Sequence, residues 1–132
     1  MLAHSLLYRR WLDLTYMPQN GIPWWYFQGI DTRWKDAGLK TLDPDGVLAR
    51  TFDPARIIGG VSFKPTDQYA PGCVRVADAA EDKLSIGEVD NRVTPRLKEI
   101  AAMVERAGWK GVVTDDIRKG KWTKLLSNRS EE

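Results

Sequence analysis

The feature that most constrains this chain is the order of capped helices and a strand in residues 94–128. Thr94-Pro95 reads as a helix start, because threonine caps well and proline in the first turn lacks only an N–H that has no helical partner. Leu97, Ile100, Ala101, Val104 and Ala107 then recur at three- and four-residue spacing, which lines one face with apolar side chains. Gly108 stands where a left-handed residue ends a helix. Trp109–Thr114 reads as a strand, and Asp115 or Asp116 caps a last helix from Ile117 to about Asn128.

Upstream, Arg56–Phe63 is β-branched and apolar around Gly59 and Gly60, a strand whose glycines admit another backbone or a ligand. Cys73–Ala77 and Lys83–Glu88 are two further strands across the polar link Asp78–Asp82. Val74 and Val76 alternate with Arg75, as Leu84 and Ile86 do with Ser85, and this period of two argues for a half-exposed antiparallel pair. Residues 1–17 suggest a short helix running into a strand at Leu12–Met17. Gln19-Asn20-Gly21 marks a turn, Ile22–Phe27 is a dense aromatic block, and residues 28–53 resemble a loop or short hairpin insertion. This order of short strands and helices is α/β or α+β. No Gly-x-Gly-x-x-Gly, the usual opening of a dinucleotide-binding domain, occurs.

The 132 residues suit one ordinary domain, and 42% hydrophobic with 29% charged residues is the balance of a soluble globular protein. A net charge of +2 from interspersed charges gives no reason to invoke nucleic acid or an anionic membrane. No apolar run approaches the ~20 residues of a membrane helix, and the start lacks the pattern of a signal peptide. The expected location is the cytoplasm. Cys73 is the one cysteine, which excludes an intrachain disulfide, and its strand-like surroundings read as those of a small buried apolar residue. One histidine and one cysteine leave a transition-metal site nothing to build on.

On the last helix, Lys124 and Asn128 are four apart and share a face that Lys121 flanks, with Trp122, Leu125 and Leu126 read as the apolar surface seating the helix. A lysine losing hydration beside Trp and Leu becomes a better proton donor near neutral pH, although a solvated lysine face is the default from spacing alone. Asn20 either offers its amide to a ligand or simply serves the turn. Asp115 and Asp116 are adjacent and point apart, so a cap outweighs a carboxylate pair. Trp24–Phe27, without a basic cluster beside it, points to packing or an interface rather than to stacking on bases.

Taken in order, several of these segments resemble ketopantoate reductases. Pro18-Gln19-Asn20-Gly21-Ile22-Pro23-Trp24-Trp25-Tyr26-Phe27 is similar to the Asn-Gly segment after a strand of that family's nucleotide-binding domain. Arg56–Val61 is similar to the next strand, while Pro71–Arg75 and Leu84–Glu88 resemble its antiparallel pair. Asp116-Ile117-Arg118 with Lys121-Trp122-Thr123-Lys124-Leu125-Leu126-Ser127-Asn128 resembles the junction into a helical second domain. The resemblance covers roughly residues 18–128. It implies an incomplete Rossmann-like domain in residues 1–115 and the first helix of a truncated helical domain in 116–132.

The activity so implied is reduction of 2-dehydropantoate to pantoate with NADPH, on the route to coenzyme A. In it Lys124 is the general acid, Asn128 binds the substrate, and Asn20 lies near nicotinamide and substrate. The partner is a small 2-oxo acid. Two departures stand against the family's pattern: the Gly-rich phosphate-binding start is missing, and Glu132 falls where a second asparagine follows the lysine by eight. Both ends therefore read as truncation or a change of frame. The chain alone is expected to be inactive, to bind NADPH weakly and to self-associate through exposed apolar surface. The competing readings are an inactive truncated gene product and a small interaction module using the Trp-rich segment.

Overall fold

A computed structural model of the chain describes residues 14–19, 21–76 and 82–129, with side chains to residue 127. The helix expected near the start falls on residues outside this range. The strand expected at Leu12–Met17 is found as β1, Thr15–Pro18. Its chain leads into turns, a short helix α1 (Val47–Thr51) and a 3-10 turn at Pro54–Arg56. This is the loop expected for residues 28–53, with a helical turn rather than a hairpin. Asp43 holds α1 by accepting from the N–H groups of Leu48 and Ala49, each at 3.0 Å.

β2 (Ile57–Phe63) is the centre of a four-stranded sheet ordered β1-β2-β5-β6, with β5 at Lys83–Glu88 and β6 at Lys110–Val113. β1 runs parallel to β2, β5 antiparallel to β2, and β6 parallel to β5. Parallel neighbours need a crossover. Between β5 and β6 this is helix α2, Pro95–Arg106; the last helix, α3, spans Ile117–Arg129. The fold class is thus α/β, a mixed sheet with helices.

A strand covered on both faces reads as a continuous apolar run, and Ile57 to Val61 are all buried. One face carries Ile57 and Val61 against Trp24, Trp25, Val89 and Ile117. The other carries Ile58 with Ile86 against Leu97 and Ala101 of α2. The α2 boundaries agree with the sequence reading: Thr94 takes the extended cap conformation and Gly108 has φ of 87°. The Thr94 hydroxyl does not cap the helix, however. It donates to the buried carboxylate of Glu88, which Arg96 also grips, with Nε at 2.7 Å.

One expected pairing is corrected. Cys73–Val76, here β4, pairs not with Lys83–Glu88 but with β3, Thr66–Ala70, in a separate hairpin. The cause is Pro71-Gly72: proline presets φ and Gly72 adopts φ of 76°, so two residues close the turn locally. Lys83–Glu88 is thereby left to pair with β2, placing Gly87 opposite Gly59. Every residue of β4 is exposed, so Cys73 is a surface thiol and not the buried residue its neighbours suggested.

β6 and α2 approach so closely that a Cβ on Gly111 would lie 2.6 Å from the Ala101 carbonyl oxygen and 2.9 Å from its Cα. Both are backbone atoms and cannot rotate away. Gly111→Ala should therefore cost about 1–3 kcal/mol in urea denaturation, the usual scale of overpacking. Gly38→Ala, with nothing within 4 Å of the new methyl, should stay within ~0.5 kcal/mol of the parent.

Candidate functional site at the lysine-bearing helix

The site is built by the way α3 is laid along β2. Asp116 caps the helix, its carboxylate accepting from the Lys119 N–H at 3.0 Å, as the sequence indicated. Ile117 then drops onto a floor without side chains. A Cβ on Gly59 would lie 3.1 Å from Ile117, and one on Gly87 would lie 3.0 Å from it. The helix thereby comes closer than any residue with a side chain would permit.

Arg118 turns inward and is 5% exposed. Its guanidinium donates to the carbonyls of Tyr26 (2.6 Å), Gln28 (2.8 Å) and Val89 (2.7 Å), and to Asn91 Oδ1 (3.0 Å). Burial lowers its pKa from the ordinary value, with Tyr26, Asp116 and Asp90 opposing. An arginine still stays charged. One turn of helix separates Ile117 from Lys121, and Lys121 is fully buried. Its ammonium donates to the carbonyls of Gln19 and of Gly60 (3.2 Å), with the Trp25 ring centroid 5.5 Å away. Burial pulls its pKa down to about 8.

Lys124 follows three residues later, half-buried, its Nζ 5.0 Å from the ring centroid of Phe63, the last residue of β2. Gln19 directly follows β1. Lys121 and Lys124 thus stand toward the carboxyl ends of the parallel strands β1 and β2, the end at which open α/β sheets hold their ligands. Of the other expected site residues, Asn128 sits on α3 one turn beyond Lys124, with its side chain outside the described atoms. Asn20 lies outside the described residues.

Two sequence readings change here. Trp122 and Leu126 do not seat the helix: Trp122 is 49% and Leu126 65% exposed, and the Trp122 indole N–H reaches Tyr26 Oη at 2.8 Å, while Leu125 is half-buried. The helix is seated by Ile117, Arg118 and Lys121. The roles of Arg118 and Lys121 were missed because charged side chains default to solvent. The available signal was Ile117, four before Lys121 and directly after the cap, marking the buried face. Trp24 and Trp25 lie in the core, so they form no exposed binding face. Among the described residues no helix is long and apolar enough to cross a membrane.

Sheet, crossover helix and lysine-bearing helix together define part of an α/β domain with a candidate site at strand ends. Known proteins say which kind. Over 112 residues the chain is 35% identical to the 2-dehydropantoate 2-reductase of Mesorhizobium japonicum, covering 85% of this chain and 34% of that protein. A solved protein of Ralstonia solanacearum MolK2, assigned as a ketopantoate reductase, matches with a TM-score of 0.75 and 29% identity over 87% of this chain and 35% of its own. The 2-dehydropantoate 2-reductase of Geobacter metallireducens GS-15 matches with a TM-score of 0.52 and 40% identity over 61% of this chain and 26% of its own. No family model matches. The match spans about a quarter to a third of the length of these relatives. Over that part it is a relative of the ketopantoate reductases, and the resemblance read from its sequence holds.

The buried charge of Lys121 has a pH signature. Its pKa is about 8 in the fold against 10.5 unfolded. Below pH 8 both states are protonated and the fold bears the full cost of burying the charge. As pH rises from 8 to 10.5 the folded state releases its proton first, so the contribution of Lys121 to stability improves. In paired melts, the parent should gain on Lys121→Met over that window and run parallel to it between pH 6 and 7.

Proposed function

We propose that this chain carries the strand-end and catalytic-helix portion of a 2-dehydropantoate 2-reductase acting in the cytoplasm. The observation that supports this most is the place of Lys124, half-buried on α3 beside the last residue of β2. The boundary proposed between the nucleotide-binding part and the helical part is at residues 115 and 116, where α3 is about to begin.

The cofactor in this reading is NADPH, which supplies a hydride to the ketone carbon. The residues here suit its nicotinamide end. A Cβ at Gly21 would meet only Gln19 Nε2, at 3.8 Å, so the backbone after β1 is open to close approach. They offer no Gly-rich cradle for its phosphates.

Lys124 acts as general acid: its ammonium gives one proton to the carbonyl oxygen as negative charge develops there, leaving a neutral amine and a secondary alcohol. Asn128 hydrogen-bonds the 2-oxo acid without competing for that proton, and Asn20 orients substrate and nicotinamide.

The test is a chimera in which residues 14–129 replace the matching stretch of the Mesorhizobium japonicum relative. It should reduce 2-dehydropantoate with NADPH. Lys124→Ala should lower kcat by ~10²-fold or more. Asn128→Ala should chiefly raise KM, by roughly 2- to 13-fold for a lost hydrogen bond of ~0.5–1.5 kcal/mol. A folded chimera without turnover would remove the substrate assignment, and unchanged kcat in Lys124→Ala would remove the general acid.

The chain by itself should self-associate through the exposed apolar side of α3, where Trp122 and Leu126 lie. Sedimentation velocity should show mass rising with concentration, and Leu126→Lys should reduce it.

A further inference from the structure

We propose that Lys121 is a positioning residue whose buried ammonium, held by the carbonyls of Gln19 and Gly60, sets Gln19, at the end of β1, in register with α3. The contacts form a small closed circuit. The Gly60 carbonyl accepts the Gln19 N–H at 3.2 Å, extending the β1–β2 ladder by one bond. The same carbonyl accepts from Lys121 at 3.2 Å, and Lys121 also reaches the carbonyl of Gln19 itself. One ammonium thus joins both sides of the last ladder bond to a helix about a hundred residues away in sequence.

Packing alone does not account for a lysine here. A leucine or methionine would fill the same volume beside Trp25 without burying a charge. What only the ammonium supplies is several donors on one atom, aimed at two carbonyls, one in β2 and one just past the end of β1. Among the described residues no carboxylate hydrogen-bonds to the charge. Arg118 and Lys124, on its own helix, are cations, and Glu88 of β5 is taken up by Arg96 and Thr94. From the aromatic block Lys121 is faced by the Trp25 ring, and from β1 and β2 by backbone carbonyls. Burial is the one cause of its pKa shift.

The consequence for catalysis rests on the function proposed above. If the end of β1 and Lys124 serve one substrate, Lys121 is the group that keeps them at a fixed separation. The register itself can be tested without substrate or cofactor. In the isotope-labelled chain, the backbone amide signals of Gln19 and Gly21 should titrate with a midpoint near pH 8, and Lys121→Met should abolish that titration. At pH 6.5 the Gln19 amide should exchange about tenfold or more faster in Lys121→Met, while amides of the β2–β5 ladder keep their protection. Lys121→Arg, charged at every pH used, should restore slow exchange and remain flat through pH 8.

If the parent's Gln19 and Gly21 signals do not move through pH 8, the inference is overturned, whether or not Lys121→Met folds. Equal Gln19 exchange in the parent and a folded Lys121→Met would overturn it too. Loss of turnover in the chimera with these signals behaving as expected would instead count against the proposed reaction alone.

Discussion

Close contact between a helix and two paired glycines underlies the arrangement of this molecule. Gly59 and Gly87 face each other across β2 and β5, and Ile117 rests on both. The Trp25 ring shares the same floor, where a Cβ on Gly59 would come within 2.7 Å of it. Side chains at either glycine would lift the helix and ring away from the sheet. With them absent, α3 lies low enough for Arg118 and Lys121 to reach backbone carbonyls on other segments. The lysine face of the helix is carried with it toward the ends of β1 and β2.

The second consequence concerns charge. Arg118 and Lys121 are both buried, and neither has a carboxylate among the hydrogen-bond partners seen here. Backbone carbonyls of residues 19, 26, 28, 60 and 89 stabilise them instead, together with Asn91 Oδ1. Removing a cation from water is costly, and carbonyl dipoles offset only part of that cost. The return is geometric: one helix becomes tied to the turn after β1, the aromatic block and the end of β5. Lys124 lies beyond those ties and keeps contact with solvent, the condition a group needs to exchange its proton.

Much of this was legible in the residues and some was not. Thr94-Pro95, Gly108 and Asp116 mark helix ends by local chemistry, and the helices begin and end where those residues indicate. The β-branched run around Gly59 and Gly60 announced a central strand and a close approach, which turned out to involve Trp25, Ile117 and Tyr16. Strand partners were harder. Val74 and Val76 alternate in the same way whether their partner is β3 or β5, and the deciding element was the two-residue Pro71-Gly72 turn. The burial of Lys121 could not be read from a lysine among lysines, because its acceptors at Gln19 and Gly60 are contributed only by the folded sheet. For the same reason apolar Trp122 and Leu126 looked like the seat of a helix that is in fact held by Ile117 and two cations.

The central claim is that α3 sits directly on the Gly59–Gly87 floor, and proton–proton contacts in solution measure it most directly. Nuclear Overhauser spectra of the labelled chain should connect the Ile117 side chain to the α-protons of Gly59 and Gly87, and place the Trp25 ring against Gly59. Observation of these contacts together with intact β2–β5 ladder contacts is the predicted result. An intact ladder without Ile117–glycine contacts would show that the helix is seated elsewhere, and would contradict the account.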